Sequence, residues 1–274
     1  MLTPDSAESL ILNKFAVVII TGGSSGIGNE FLKAIINVNT HAVICNLSRS
    51  KPENFPIKTG HHHFTCDFSN TSVIDSVVGN VITAILTAPE GPVLLINNSG
   101  FGAYGVFPDP ALARYEEMIS VNVMAPVKLT GLLWPILQKR TGWIINVASI
   151  GAFQPTPFMG VYGATKAFVL HWSLALNLEG KSQNIRALAL CPGVTVSRFF
   201  SNAGFSSDRV PGVRQTPERV VYEAIRALHK GKSQVVTGWL NKLSIFFSMR
   251  LPKPWSAFFA YLSIKKMRMG ELDK

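Results

Sequence analysis

Tyr162 and Lys166 are the residues of this chain whose types and spacing suggest chemistry most directly. They are four positions apart in a segment of helical character, so we expect them on one face of a helix over 159–180. A free tyrosine has a pKa of about 10 and is a poor base at neutral pH. A nearby ammonium stabilises the phenolate and lowers that pKa, so the pair predicts a general acid/base at Tyr162.

Two further polar residues could join this pair. Ser149 follows the predicted strand 143–148, at the edge of a sheet where ligands bind in α/β folds. Its hydroxyl could donate a hydrogen bond to a substrate oxygen as charge develops there. Asn122 lies four residues before Pro126, which has no N–H to bond the carbonyl of residue 122. We expect the helix to depart from regular geometry here, which leaves that carbonyl free to accept a bond from water.

A glycine-rich turn, TGGSSGIG over 21–28, separates an apolar run at 15–20 from a helical pattern at 27–36. Glycine lets the backbone turn sharply and approach a ligand closely, and the helix N-terminus offers unpaired N–H groups to phosphate oxygens. The turn therefore predicts a dinucleotide site formed by Thr21, Gly22, Ser24, Ser25, Gly26, Ile27 and Gly28.

The same turn also fits the nucleophile elbow of α/β-hydrolases, with Ser24 as nucleophile between Gly22 and Gly26. That elbow normally follows several strands rather than the first one, and no downstream histidine stands out as its partner. The hydrolase is therefore the weaker interpretation.

Apolar strand patterns alternate with helical patterns along the chain. This alternation predicts an α/β fold with a single Rossmann-type, doubly wound parallel sheet and helices on both faces. We expect a catalytic domain over 1–238 and a C-terminal amphipathic helical extension over 239–274. The predicted strands are 15–20, 42–47, 61–65, 93–96, 143–148, 185–191 and 234–237, and the later helices lie near 71–87, 111–139, 159–180 and 216–230.

The end of the second predicted strand bears on the choice of dinucleotide. About 20 residues past the glycines, NAD-binding folds place a carboxylate on the adenosine ribose. Here that position is Ser48, and Arg49 follows it. A guanidinium suits a 2′-phosphate, so the sequence predicts NADP(H).

Seven motifs in this order and spacing resemble the short-chain dehydrogenase/reductase family, over roughly residues 15–200. The departures are small, since Ser99 stands where the family usually has Ala, and Ser197 where a Thr usually follows Pro-Gly. The motifs are TGGSSGIG at 21–28, Asp67 in CDFS, NNSG at 97–100, Asn122 in SVNVMAP, Ser149 in NVASIGA, YGATK at 162–166, and Pro192-Gly193.

The resemblance implies roles for these residues. Asp67, with Phe68, would contact the adenine, while Asn97, Asn98, Ser99 and Gly100 would pack beside the adenosine ribose. Tyr162 and Lys166 would reach the nicotinamide ribose, and Asn122 would hold a water in a proton relay through the lysine. The nicotinamide would be bordered by Pro192, Gly193, Val194, Thr195 and Ser197.

Composition and charge limit the partners. Of 274 residues, 47% are hydrophobic, which allows a sizeable core. The net charge is +10, and residues 230–274 hold nine Lys/Arg against two acidic residues. Large apolar residues separate these cations, a pattern that favours an anionic lipid surface over nucleic acid. The segment 239–269 could cover the substrate pocket, form an oligomer interface or contact a membrane peripherally.

Other tempting residues predict no metal site. The run His61-His62-His63 lies in a predicted strand, where neighbouring side chains face opposite ways and cannot converge on one ion. The cysteines Cys45, Cys66 and Cys191 have no CxxC spacing and fit small apolar side chains in a reducing compartment, so we expect a cytoplasmic protein.

The sequence thus predicts an NADP(H)-dependent oxidoreductase that interconverts a carbonyl and an alcohol and assembles as a homo-oligomer. Phe153, Phe158 and Met159 near the catalytic segment suggest an apolar substrate, such as an acyl, steroid-like or aromatic ketone or aldehyde. The alternative from another class is a non-catalytic nucleotide-binding scaffold or sensor on the same fold.

Overall fold

A parallel β-sheet organises the molecule, whose computed structural model describes residues 7–53, 55–197, 199, 203 and 214–268. Within these residues the sheet has seven strands: β1 Val17–Thr21, β2 Val43–Ser48, β3 His61–Thr65, β4 Val93–Asn97, β5 Gly142–Val147, β6 Ile185–Cys191 and β7 Gln234–Val236. Their order is β3-β2-β1-β4-β5-β6-β7, and every neighbouring pair is parallel. The order reverses direction between β1 and β4, the place where such sheets bind ligands.

The helices connect successive strands. In chain order they are α1 Ala7–Asn13, α2 Gly26–Val38, α3 Val73–Leu86, α4 Leu112–Ile119, α5 Ala125–Lys139, α6 Gly160–Gly180, α7 Pro217–His229, α8 Trp239–Ser248 and α9 Lys253–Arg268. One π-helical turn, Ser120–Met124, joins α4 to α5. Together these elements form the predicted α/β, doubly wound Rossmann-type fold.

Both faces of the sheet are covered, as β1 illustrates. Val18 and Ile20 join the apolar layer beneath α1, α2 and α7, whereas Val17 and Ile19 join the layer beneath α3, α5 and α6. All four side chains are fully buried. A strand buried on both faces reads as a continuous β-branched apolar run, which is why FAVVII could be recognised from sequence.

The joined helices α4 and α5 span Leu112–Lys139, a stretch long and apolar enough by composition to cross a membrane. Core helices of soluble proteins pass the same test. Here Leu129, Leu133 and Leu137 are fully buried and pack in the layer that contains the β4 and β5 side chains. Packing against the sheet therefore accounts for these three leucines of the stretch.

Within the predicted C-terminal helical extension, residues 239–268 contain two helices, α8 and α9. Pro252 lies between α8 and α9, whereas Pro254 lies in the first turn of α9 rather than between the helices. A proline is tolerated there because the first N–H groups of a helix have no intrahelical partner. Residues 269–274 of the predicted extension lie outside the described part of the chain.

Candidate active site

The turn after β1 is fixed by side chains from the segment that follows β4. Thr21 Oγ1 accepts hydrogen bonds from the backbone N–H groups of Asn98, at 3.0 Å, and Ser99, at 2.9 Å. In return, Asn98 Nδ2 donates to the carbonyl oxygens of Thr21, at 3.0 Å, and Gly22, at 3.1 Å. The turn is therefore tied to the carboxyl end of β4.

The glycines of this turn are required by its geometry. Gly22 and Gly26 have φ angles of +69° and +55°, a region that residues with a side chain rarely adopt. A methyl group at Gly28 would overlap the carbonyl oxygen of Gly22 and the amide of Asn98. The side chain of Ser25, at the start of α2, makes no capping hydrogen bond. The first turn of α2 could therefore donate N–H groups to an anionic ligand.

A cavity of about 1040 Å³ opens at the carboxyl edge of the sheet, beside this turn. Its walls follow the ends of β1 to β6 in turn, so residues far apart in sequence meet there. The predicted site residues that line it are Gly22, Ser24, Ser25, Gly26, Ile27, Arg49, Asp67, Phe68, Asn98, Ser99, Gly100, Ser149, Tyr162, Lys166, Pro192, Gly193, Val194, Thr195 and Ser197.

Lys166, Tyr162 and Ser149 lie together on one wall of the cavity. Lys166 is buried and its Nζ donates a hydrogen bond of 2.8 Å to the carbonyl oxygen of Val147, the last residue of β5. The same Nζ lies 5.9 Å from the centroid of the Tyr162 ring. Ser149 follows β5, and its Oγ accepts a hydrogen bond of 3.1 Å from the N–H of Gly151.

Burial controls the ionisation of this group. It raises the pKa of Tyr162 to about 12, and a hydrogen bond with Ser149 offsets part of that rise. Burial also lowers the pKa of Lys166 to about 8. The expectation that Lys166 lowers the pKa of Tyr162 is thus not met, because desolvation of the phenolate raises this pKa and the opposing influence comes from Ser149. Tyr162 is a neutral phenol at neutral pH and can donate a proton.

Asn122 lies in the π-helical turn, so the helix does depart from regular α-helical geometry before Pro126, as expected. Its buried side chain holds the segment after β4: Nδ2 donates to Phe101 O and to Thr165 Oγ1, both at 3.0 Å, and Oδ1 accepts from Phe101 N at 3.1 Å. A methyl group at Gly100 would lie 3.0 Å from Asn122 Oδ1 and 3.1 Å from Lys166 Nζ. Asn122 therefore lies directly behind the cavity wall.

Some predicted site residues do not line the cavity. Thr21, Gly28 and Asn122 support the wall from behind. Asn97, expected beside a ribose, points into the sheet instead, where its Nδ2 donates to Asn146 Oδ1 at 2.8 Å and to Thr130 Oγ1 at 3.1 Å.

Of the three apolar residues expected near the substrate, only Met159 lines the cavity. Phe153 is buried in a small apolar cluster with Val169 and Leu170. Phe158 packs its ring against Tyr104 and Tyr261, at centroid distances of 5.9 Å and 5.5 Å. Both side chains are engaged in packing between elements, which their sequence positions could not indicate.

The far end of the cavity carries charge of both signs. Arg49, directly after β2, and Asp67, after β3, both line it. Ser69 donates to Asp67 Oδ1 from its backbone N–H at 3.0 Å and from its hydroxyl at 2.9 Å. These bonds, chiefly the backbone one, lower the pKa of Asp67, and the charge of Arg49 adds a smaller contribution in the same direction. Asp67 thus also stabilises the turn that follows β3.

Asn46 supports the site although the sequence analysis did not single it out. It is fully buried in β2, where its Oδ1 accepts a hydrogen bond of 3.1 Å from the N–H of Gly23. Its Nδ2 contacts Ser48 Oγ at 3.0 Å and His63 Nδ1 at 2.9 Å. A polar residue inside an otherwise apolar strand was the available signal.

The α8–α9 hairpin closes one side of the cavity. It contributes apolar residues that include Leu240, Ile245, Phe247 and Phe259, together with several serines. Ser248 joins the hairpin to the loop after β5, because its Oγ donates to Gln154 Oε1 and lies 2.9 Å from Ser256 Oγ. Covering the substrate pocket was one of the three roles expected for the segment 239–269, and the hairpin does line the cavity.

The structure bears on two alternative interpretations. The hydrogen bonds of the described residues include none from Ser24 to a histidine, which disfavours a hydrolase. Among the same residues, no group of three or more potential ligands could hold a metal ion. His62 stacks on Phe64 while His63 contacts Asn46, so consecutive histidines do face opposite ways.

Comparisons with known proteins agree with the fold. The family model for short chain dehydrogenases matches residues 16–205, so the chain belongs to this oxidoreductase family and the hydrolase interpretation is wrong. Among its relatives, the ketoacyl reductase HetN of Nostoc sp. is 27% identical over 227 residues, which cover 80% of this chain and 77% of that protein.

Solved structures of this family share the fold. A short chain dehydrogenase from Burkholderia cenocepacia in complex with NADP has a TM-score of 0.72 and 21% identity, and the match covers 89% of this chain and 96% of that chain. A 3-ketoacyl-(acyl-carrier-protein) reductase from Brucella melitensis complexed with NADH has a TM-score of 0.67 and 22% identity, with coverage of 80% and 95%.

Proposed function

We propose that this protein is an NADP(H)-dependent oxidoreductase that interconverts a carbonyl and an alcohol on an apolar substrate. One observation carries the proposal. Ser149, Tyr162 and Lys166 converge on the wall of a cavity that also runs along the turn 22–27. A phenol, an ammonium and a hydroxyl thus adjoin a place for phosphates, as reduction with a dinucleotide requires.

The cavity suits a dinucleotide. Gly22 and Gly26 line it with backbone atoms alone, in positive-φ conformations, and the start of α2, where Ser25 makes no side-chain cap, lines it as well. We assign the phosphates to this turn, the adenosine to the end near Asp67 and Phe68, and the nicotinamide to the end near Pro192–Ser197. Asn98, Ser99 and Gly100 form the wall between these two ends.

Each catalytic side chain has one role in the reducing direction. A dinucleotide held in this cavity would supply the hydride that reduces the carbonyl carbon. Tyr162 donates its proton to the carbonyl oxygen, since its raised pKa keeps the phenol protonated at neutral pH. Ser149 donates a hydrogen bond to the same oxygen as negative charge develops. Lys166 would then return a proton to Tyr162, and a water held by the Asn122 carbonyl oxygen would return one to Lys166 from solvent.

The preference for NADP(H) rests on the end of β2. Ser48 is buried and donates to the carbonyl oxygen of Ser50 at 2.9 Å, so no carboxylate occupies the position that would accept a ribose hydroxyl. Arg49 lines the cavity beside it. A guanidinium offers several donors to a 2′-phosphate. Two family members of similar fold contain NADP and NADH, so the residues of this chain must decide the preference.

An apolar substrate is favoured by the apolar residues that line the cavity together with the catalytic group. Met159, Phe199, Phe247 and Phe259 are among them. HetN, a relative, is named as a ketoacyl reductase, which agrees with an acyl substrate. The division into a catalytic domain over 1–238 and an extension over 239–274, the homo-oligomer and the cytoplasmic location remain predictions.

The test is a panel of acyl thioesters, steroids and aromatic ketones, each incubated with the purified protein and NADPH. Loss of the NADPH absorbance with at least one of them is the expected result. NADPH binding without oxidation of any compound would instead favour a nucleotide-binding scaffold.

A further inference from the structure

The α8–α9 hairpin carries an apolar stripe that faces away from the cavity. We define the outer stripe as Trp239, Leu243 and Phe246 on α8 with Trp255, Phe258 and Leu262 on α9. Their spacing places each set of three on one helix face. Their exposed fractions lie between 42% and 71%, although each is a large apolar side chain. Exposure of so many neighbouring apolar side chains marks a contact surface.

The opposite side of the same hairpin is part of the candidate active site. Leu240, Phe247, Phe259 and Ile264 line the cavity, whereas no residue of the outer stripe does. The exposure of the outer stripe is thus not explained by the cavity. One layer of helix, about 10 Å thick, separates the two surfaces.

The charged residues of the hairpin itself are all positive, and one of them, Lys242, has its Nζ 3.6 Å from Glu223 Oε2 on α7. From Trp239 to Arg268 the sequence contains six Lys/Arg and no Asp or Glu. Lys242, Arg250, Lys253 and Lys265 are exposed. Arg250 lies 3.3 Å from the centroid of the Phe246 ring, so one cation directly borders the stripe.

We propose that the outer stripe docks on an anionic lipid bilayer, with its apolar side chains below the headgroups and the surrounding cations against them. Apolar residues flanked by cations have this complementarity to such a surface. A second copy of the chain fits less well. A two-fold interface centred on the stripe would bring like charges together, with no acidic residue from this segment to pair with them.

Docking on a bilayer would also limit the kind of substrate that reaches the cavity. This inference rests on the proposed function. The bilayer would lie about one helix diameter from the catalytic cavity. The substrate is then a lipid-soluble carbonyl or alcohol that the enzyme takes from the membrane.

The test is co-sedimentation of the full-length protein with vesicles. We expect binding to phosphatidylcholine vesicles that contain roughly one third phosphatidylserine, and weaker binding to phosphatidylcholine alone or in high salt. The double variant Trp239→Ser/Trp255→Ser should lower the partition coefficient at least tenfold, because it removes two of the most exposed anchors.

Ile57→Ser/Leu86→Ser is the matched control, since these side chains are 96% and 78% exposed outside the hairpin. It should bind vesicles as the wild type does. Both double variants should oxidise NADPH at the wild-type rate with a water-soluble ketone. The activity assay thus tests the proposed catalysis, and co-sedimentation tests docking independently of it.

Two outcomes would overturn the proposal. One is wild-type protein that stays in the supernatant with anionic vesicles. The other is a Trp239→Ser/Trp255→Ser variant that pellets as well as the wild type. Dissociation of an oligomer by this variant in sedimentation velocity, with unchanged pelleting, would identify a second copy of the chain as the occupant.

Discussion

Lys166 Nζ donates a 2.8 Å hydrogen bond to the carbonyl oxygen of Val147, so the ammonium is held at the end of β5 by a backbone group. Only 5% of this lysine is exposed, and no carboxylate contributes to its pKa. The hydrogen bond to Val147 therefore offsets only part of the desolvation cost of burying the Lys166 ammonium. We expect it to cost stability, a cost that its position in the active site explains.

Replacing this lysine should stabilise the protein while it removes activity. The ordinary pKa is 10.5 and burial lowers it to about 8, a difference that corresponds to ~3 kcal/mol. Since the folded state binds fewer protons than the unfolded state in this range, stability from this group rises with pH between 8 and 10.5. Lys166→Met should raise the free energy of unfolding at neutral pH by ~2 kcal/mol, after the loss of one hydrogen bond.

Urea unfolding measures this effect. The gain should vanish near pH 10.5, where the wild-type lysine is neutral as well. Lys181→Met, at an exposed lysine after α6, should change stability little at either pH. If Lys166→Met were less stable than the wild type at neutral pH, the surroundings of the ammonium would have to stabilise its charge more than its one hydrogen bond indicates.

Tyr162→Phe tests the proton donor. Removing a general acid should lower kcat by about 10² to 10⁴-fold, since the carbonyl oxygen then has no protein proton. NADPH affinity should stay near that of the wild type, because the ring and its packing against Phe199 at 5.3 Å are retained. Steady-state kinetics and fluorescence titration of NADPH provide the two readouts.

Tyr222→Phe on α7 is the control, since Tyr222 does not line the cavity and should be replaceable without loss of turnover. Persistent turnover in Tyr162→Phe would remove this tyrosine from the mechanism.

Arg49→Ala tests the preference for NADPH. Loss of charge-assisted hydrogen bonds to the 2′-phosphate should raise KM for NADPH about tenfold or more and leave KM for NADH nearly unchanged. Lys51→Ala, two residues away and outside the cavity lining, should show neither change. If Arg49→Ala raised the KM for NADPH and the KM for NADH equally, the proposal that Arg49 binds the 2′-phosphate would be wrong.

Gly28→Ala tests the close packing of α2 against the turn. A methyl group there would overlap the Gly22 carbonyl oxygen, a backbone atom, so the turn must shift. We expect weaker NADPH binding and a lower melting temperature.

Gly79→Ala on α3 is the control, because nothing lies within 4 Å of the added methyl group. That variant should gain ~0.5–1 kcal/mol from helix propensity. Equal behaviour of the two variants would contradict this account of Gly28.

Much of the fold was predictable because its signals are local. The strands buried on both faces are continuous apolar runs, and each predicted strand was found within two residues of its ends. The glycine turn and the Tyr162–Lys166 pair were predictable for a similar reason, since steric and helical constraints act within a few residues. The helix α1, at the start of the described chain, carries no such pattern and was not predicted.

Contacts between distant segments were less accessible. Asn97 and Asn98 are adjacent, yet only Asn98 lines the cavity, because Asn97 is paired with Asn146 across the sheet. That pairing depends on which strand lies beside β4, which is a property of the topology. The same applies to the hairpin residues in the cavity, whose placement depends on how α8 and α9 fold back over the site.

The mutual hydrogen bonds of Thr21 and Asn98 affect how a ligand is received. Two bonds join Thr21 and Asn98, and two more run from Asn98 to Gly22 and from Ser99 to Thr21, so the two sides of the crevice between β1 and β4 are held together. A molecule that enters the crevice therefore needs little ordering of the protein, and little conformational entropy is lost on association. Differences in affinity between ligands would then depend on the residues at the two ends of the crevice, because the middle of the crevice changes little on binding.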